Sequence, residues 1–418
     1  MTRALEGLRL VEFTAGMAGP WIGRFMAHCG AEVIRVESRG RPDVVRLYVP
    51  PWAPERGTEP QLSPWFTDWN AGKRFVSLDL TRPRAVAIAQ RLAARAGLVV
   101  ENYSAGVIDK LGLGYEQLRQ ARPDLIMLST SGYGSSGPCR GYVTWGPNIE
   151  ALSGLATLSG FPGRACTMTQ FAYPDALAAL HGLFAILCAL DHRTRTGEGQ
   201  HIELSQLECT VAVIGHVLME YLANGREPAQ LGNRSADAAP QGCYRCRGDD
   251  RWCAVSVADD AAWARFCRAI ERPELASDPR YATWTARRTR ADELDRVIEA
   301  WTAERSEYEV MAALQGAGIA AGVVQNVEDQ FRRDPQLAAR GFFEKMPHVK
   351  KGEVVANGIP LGLTRTPGRT DVSGGAVGQD NDYVFGELLG MSAEEIAEAT
   401  ALGAIEAAAV AAPPGGGE

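Results

Sequence analysis

Up to residue 130 the chain switches repeatedly between the apolar alternation of a strand and the apolar periodicity of a helix, and no other feature narrows its possible folds as much. Residues 8–13 (LRLVEF) read as a buried strand, followed by a glycine-rich turn and an apolar-periodic helix ending near Gly30. Residues 32–37 (EVIRVE), 97–101 (GLVVE) and 124–130 (DLIMLST) read as further strands, with helical runs such as 84–96 (RAVAIAQRLAARA) between them. Strands separated by helices cannot pair through tight hairpins. Each returns by a crossover, which makes the sheet mostly parallel. An α/β fold with an open, doubly wound sheet is expected.

The chain of 418 residues is too long for one ordinary core, so a second domain is expected. A long apolar helix follows at 175–190 and another at 205–224, closing a first large segment, 1–224. The stretch 225–242 (GREPAQLGNRSADAAPQG) has the composition of a linker. Beyond it GCYRC, the turn RGDD and WCAVSVA form a hairpin pattern, followed by helices near 258–270, 290–303 and 307–316. That texture predicts a smaller α+β domain over 243–330. The low-complexity end, 408–418, reads as a flexible tail.

Composition excludes several classes. Lys+Arg 43 against Asp+Glu 50 gives a net charge of −7, which argues against bulk nucleic-acid binding. Ala176 to Leu190 is the longest apolar run, interrupted by His181 and Gly182, and it reads as too short to span a membrane. The N-terminus lacks the apolar core of a signal peptide, and nine dispersed cysteines suit reduced thiols, so a cytoplasmic protein is expected.

The candidate motifs each carry two readings. The turn from Gly16 to Gly23 lacks the glycine spacing of a dinucleotide fingerprint, although Glu37 stands where its acid would be. A phosphate near that helix N-terminus remains an option, as does simple close packing. Lys73 and Arg74 enter a strand after Asn70-Ala71-Gly72 and could meet phosphates or decorate a sheet end. Cys243, Cys246 and Cys253 lack a fourth ligand at zinc spacing, so no metal is expected. His181, inside an apolar helix, reads as a core histidine. No G-x-S-x-G or H-E-x-x-H motif occurs. Asp175 follows Tyr173-Pro174 at the start of a helix that is apolar nearly all round. It is either an ordinary capping residue or a carboxylate held ionised by the helix N-terminus, as a nucleophile requires.

Taken in order, GAEVIRVE, WNAGKR with SLDL, LVVENYSAGVIDKLGLGYEQL, RPDLIMLSTSGYGSSGP, YPDALAALHGLFAIL, RTRTGEGQHIELSQLE and IAAGVVQNVEDQFRRDPQLAARGFF make the chain resemble the family III CoA-transferases from about Leu5 to about Glu395. The resemblance implies a large Rossmann-like domain built from both chain ends, with residues 331–407 returning to complete it. It also implies two interlocked subunits, either a homodimer or a heterodimer with a paralogous chain. Asp175 falls at the family's nucleophile. CoA would lie along Met17, Ala18, Arg39, Leu78, Asp79, Leu80, Thr81, Asn102, Tyr103 and Lys110, with Lys73 and Arg74 added on charge alone. Tyr142, Thr144, Trp145 and Phe171 are candidates for an apolar substrate pocket. No tightly bound cofactor is implied; CoA esters are substrates.

The departures from the family pattern are informative. Met17 stands where formyl-CoA transferases commonly carry Gln, their second-strand arginine aligns with Ser38, and their glycine-run loop has no counterpart beyond Leu231-Gly232-Asn233-Arg234. Formyl and oxalyl substrates are therefore disfavoured, and succinyl-CoA is the expected donor. The related 2-methylacyl-CoA racemases need a histidine in the region that here reads Thr144-Trp145-Gly146-Pro147-Asn148. A racemase and a non-catalytic CoA-binding subunit stay as alternatives to transfer through an aspartyl-CoA thioester. The N–H groups around Asp175 are expected to hold its carboxyl well below its ordinary value.

Overall fold

The computed structural model describes residues 2–48 and 63–406, so the tail expected at 408–418 lies outside the described residues. The chain forms two compact units: residues 1–156, 168–225 and 337–418 make one, and residues 157–167 and 226–336 the other. The stretch 225–242 straddles the bound between them, with Arg226 onward counted in the second unit.

The first unit is a six-stranded, wholly parallel sheet: β1 Arg9–Phe13, β2 Glu32–Glu37, β3 Arg74–Ser77, β4 Leu98–Glu101, β5 Ile126–Ser131 and β6 His201–Ser205, in the order β3-β2-β1-β4-β5-β6. Parallel strands covered on both faces read as near-continuous apolar runs. Alternate residues of β1 go to opposite faces: Val11 and Phe13 pack with the helix Pro83–Ala96 and with Val384 and Phe385 of the returning segment. Leu10 packs on the other face with the first helix, Ala18–His28, and the long helix Tyr173–Thr196. Both chain ends thus share one core.

The outer edge of β3 is covered rather than open. Phe75 N donates to Asp380 Oδ2 at 2.8 Å and Ser77 N to Asn381 Oδ1 at 3.0 Å, while Leu78 bridges to Ile405. A second, two-stranded sheet pairs β10 Phe343–His348 with β11 Gly352–Asn357. In the other unit β7 Gln241–Arg245, β8 Trp252–Ser256 and β9 Ala320–Val323 form an antiparallel sheet. Its core gathers Cys246, Cys253, Trp263, Phe266 and Cys267, which act there as packed apolar residues.

The long helix differs from its sequence reading in three ways. At 24 residues it is long and apolar enough to cross a membrane by length and composition, although here its buried stripe (Ala178, Ala179, Gly182, Ile186, Ala189) lies on the sheet unit. Its opposite side is not buried in the single chain: Leu180, Leu187 and Phe184, the last 69% exposed, face outward. His181 is exposed rather than in the core, with Nδ1 2.8 Å from the Leu177 carbonyl oxygen. The helix expected over 205–224 is two, Gln206–Val213 and Gly215–Asn224, broken at Ile214.

Candidate active site

In a doubly wound sheet, ligands settle outside the carboxyl ends of the strands where the strand order reverses. Here that point lies between β1 and β4, and a cavity of about 780 Å³ occupies it, lined centrally by Thr14, Ala15, Gly16, Asn102 and Tyr103. Beyond β3 its wall is Leu78, Asp79, Leu80 and Thr81; beyond β5 it is Ser131, Tyr133, Tyr142, Thr144, Trp145 and Gly146. Asp175 lines the same cavity.

Pro174 is the second residue of the long helix, where its missing N–H costs nothing, and Asp175 falls in the first turn. The amides of Ala18, the first residue of the Ala18–His28 helix, and of Asp175 itself both act to lower its carboxyl. Two helix N-termini thus bear on one carboxylate. They do not win, however. Burial raises the Asp175 carboxyl to about 6 against the lowering effect of both amides. The expected depression is therefore overturned: desolvation of the charged form outweighs two backbone donors. The group still ionises in the main at pH 7.

Gly146 leaves the room this carboxylate occupies. A Cβ added at position 146 would sit 2.9 Å from Asp175 Oδ2. The contact is with a side-chain end, so Gly146→Ala should fold normally while turning the carboxylate from its place. A fall in turnover of about tenfold to a hundredfold, with melting temperature nearly unchanged, is the expected result. Unaltered turnover would show that the carboxylate does not act from this rotamer.

The turn between β1 and the first helix is held by buried charge. Gly16 takes φ +71°, a left-handed conformation that favours glycine. Its N–H donates to Asp43 Oδ1 and Oδ2 at 3.1 and 3.2 Å. Asp43 is ion-paired to Arg35, whose guanidinium also donates to the Thr14 carbonyl at 2.9 Å. Asn102 spends both ends of its amide on one residue: Oδ1 accepts from Ala15 N at 2.8 Å, and Nδ2 donates to Ala15 O at 2.7 Å. Arg46 pairs with Glu37 at 2.7 Å. Next to the turn, at the end of β4, burial pushes the Glu101 carboxyl up to about 7.

The expected site residues divide accordingly. Leu78, Asp79, Leu80, Thr81, Asn102, Tyr103, Tyr142, Thr144, Trp145 and Asp175 line the cavity together. Met17 and Ala18 are buried outside the lining, and the Ala15 and Gly16 amides are taken by Asn102 and Asp43, so neither of those two is left for a phosphate. Lys73 is buried away from the cavity: Nζ is 2.6 Å from Glu12 and 2.8 Å from the Pro20 carbonyl, and burial lowers it to about 8. Arg74 is paired with Glu32 and Asp380. Arg39 and Lys110 are exposed outside the lining, as is Phe171, whereas Arg41 and Arg140 lie within it. Arg35 and Asp43 were missed in the sequence. A charged residue in the middle of an apolar strand was the available signal for Arg35; nothing local marks Asp43.

The family model for CoA-transferase family III matches residues 5–381. The succinyl-CoA–D-citramalate CoA-transferase of Chloroflexus aurantiacus is 32% identical over 94% of this chain and 96% of its own length. The succinate–glutarate CoA-transferase of Agrobacterium fabrum is 31% identical over 92% of this chain and 95% of its own. Among solved structures, a CaiB/BaiF family protein from Brucella suis superposes with a TM-score of 0.85 at 30% identity, covering 93% of this chain and all (100%) of that one.

Proposed function

This chain belongs to CoA-transferase family III and is an enzyme that transfers CoA; from that premise we propose that it moves CoA from succinyl-CoA to a free carboxylic acid through covalent intermediates on Asp175. The observation that carries the reading is a carboxylate, raised to about 6, in the wall of a cavity at the carboxyl ends of β1 and β4. Succinyl or succinate stands in the names of both relatives given above, which supports the donor.

The chemistry balances without a proton or a redox partner. The Asp175 carboxylate attacks the thioester carbonyl and expels CoA thiolate, leaving a mixed anhydride. The thiolate then attacks the aspartyl carbonyl, which releases succinate and leaves an aspartyl-CoA thioester. An acceptor carboxylate runs the same two steps in reverse, regenerating Asp175 and forming the new CoA ester. Both leaving groups are stable anions, so the protein's task is to exclude water and to donate hydrogen bonds to developing oxyanions. CoA is proposed to lie with its adenosine end along Leu78 to Thr81 and Tyr103, its phosphates near Arg41, and its thioester at Asp175 between Gly146 and Trp145.

The outward apolar face of the long helix, continued by Val213, Leu218, Met219 and Leu222, fits a second subunit, and a homodimer or a heterodimer with a paralogous chain is proposed. Nine free cysteines suit work in the cytoplasm. The test of donor and acceptor is direct: the purified protein is given succinyl-CoA and a panel of mono- and dicarboxylic acids. Mass spectrometry should find a new CoA ester in equal amount to the succinate released. Release of succinate and free CoA alone would mean hydrolysis, and a new ester from acetyl-CoA but not succinyl-CoA would remove the donor assignment.

A further inference from the structure

We propose that Asn102 and Asp43 are positioning residues of the transfer reaction, clamping the 14–16 turn from two sides so that this wall of the cavity, and the start of the first helix behind it, keep their place relative to the Asp175 carboxylate. The inference rests on Asp175 being the reacting group. Four consecutive backbone polar groups of this turn are held by side chains: Thr14 O by Arg35, Ala15 N and Ala15 O by Asn102, and Gly16 N by Asp43. All three residues of the turn, Thr14, Ala15 and Gly16, line the cavity, and all are small. So much fixation of a segment with little side chain of its own has its outlet two residues on, at the start of the first helix.

The cost of the arrangement points the same way. Arg35 and Asp43 are both fully buried, 0% exposed as side chains, and a buried ion pair is a poor source of net stability. What such a pair supplies well is a fixed geometry. Asn102, reaching across from the end of β4, uses its donor and its acceptor on Ala15, a two-point contact that sets both position and tilt of the peptide. Met17, the N-cap of the first helix, contributes no side-chain cap, so the turn before it sets where Ala18 begins. The donors acting on Asp175 are backbone amides, its own and that of Ala18, and one of them is therefore placed by residues far away in sequence. A displacement of about 1 Å at a reacting group costs about a hundredfold in rate.

The test compares wild type with Asn102→Ala, Asn102→Ser and Asp43→Asn. Two quantities are read: the single-turnover rate of aspartyl-thioester formation from succinyl-CoA, and the dissociation constant of free CoA. In Asn102→Ala and Asp43→Asn the rate should fall about tenfold to a hundredfold while CoA affinity changes less than about threefold; Asn102→Ser, which keeps an oxygen near Ala15 N, should fall less. An equal loss of affinity and rate would make Asn102 a docking residue and overturn the proposal. Unchanged rates would overturn it as well. Failure of all three variants to fold would assign the clamp to stability, which also overturns it. If wild type itself forms no thioester on Asp175, the reading of the site fails; if wild type forms it and the variants match its rate, only the clamp fails.

Discussion

Replacing Asp175 with alanine or asparagine should lower CoA transfer by at least about a thousandfold, because the side chain forms and breaks bonds rather than docking the substrate. Free CoA should still bind, since the lining on the β3 side, Leu78 to Thr81, and at Tyr103 is untouched. Asp175→Asn has a second expected consequence. Burial raises the carboxyl to about 6, so the folded chain prefers the protonated form more strongly than the unfolded chain does. That preference supports stability fully below the unfolded value and is lost as the pH rises through about 6. Asparagine has no such loss, and at pH 7 this variant should melt no lower than wild type. Turnover within tenfold of wild type in both variants, after deamidation of the asparagine is checked, would remove Asp175 from the mechanism.

Supplying succinyl-CoA without an acceptor acid should leave the aspartyl thioester standing, because the exit step is then limited to the succinate just released. Hydroxylamine should convert Asp175 to its hydroxamate and borohydride should reduce it to the alcohol, each marking one tryptic peptide. The reactive form is the ionised carboxylate. With a value of about 6, labelling should run near its maximum at pH 7.5, at about half at pH 6 and at about one-tenth at pH 5. A label on Glu150 or Asp79 would move the nucleophile. Glu150 lies outside the cavity lining, buried and held by Thr169 N at 2.8 Å, and Asp79, on the β3 side of the cavity, is held by the Thr81 hydroxyl at 2.6 Å. A maximum that persists at pH 4.5 would contradict a carboxyl raised by burial.

How much of this was legible in the sequence follows from the range of the interactions. The strands β1, β2, β4 and β5 were readable because their apolar runs are local and both faces are buried. The strand β6, HIELS, was not: it alternates exposed and half-buried residues until Ser205, so its apolar signal is thin. The break at Ile214 was marked only by Gly215 beside it, a signal that the apolar residues continuing on both sides outweighed. Asp175 could be singled out because proline, carboxylate and apolar helix are neighbours. The clamp could not, since Gly16 meets Asp43 at a separation of 27 residues and Ala15 meets Asn102 at 87. Lys73 was misread for a related reason: two cations at a strand entrance look like a phosphate site until Glu12, 61 residues earlier, is seen to neutralise one of them. The upward shift of the Asp175 carboxyl needed burial to be weighed against two backbone N–H groups, which no spacing reveals.

The covered edge of β3 bears on how this protein is made. Strands β1 to β6 are complete once Ser205 has been synthesised, yet the groups that satisfy Phe75 N and Ser77 N arrive with Asp380 and Asn381. On a ribosome adding about 5–20 residues per second, the interval is roughly 10–35 s. Throughout it, an unpaired strand edge stands beside a growing chain, the condition under which nascent sheets associate wrongly. Residues 226–336 emerge in that window and, joining residues 157–167 in one compact unit, can complete a core that draws on Tyr244 to Ile319 before the earlier one is closed. The order of translation and the order of completion can therefore differ: the middle of the chain has all the residues of its own core before the beginning has those that close its edge. A stop codon placed before Asp380 would strand a sheet whose every strand has been made, and the nascent chain would depend on chaperones for as long as it waited.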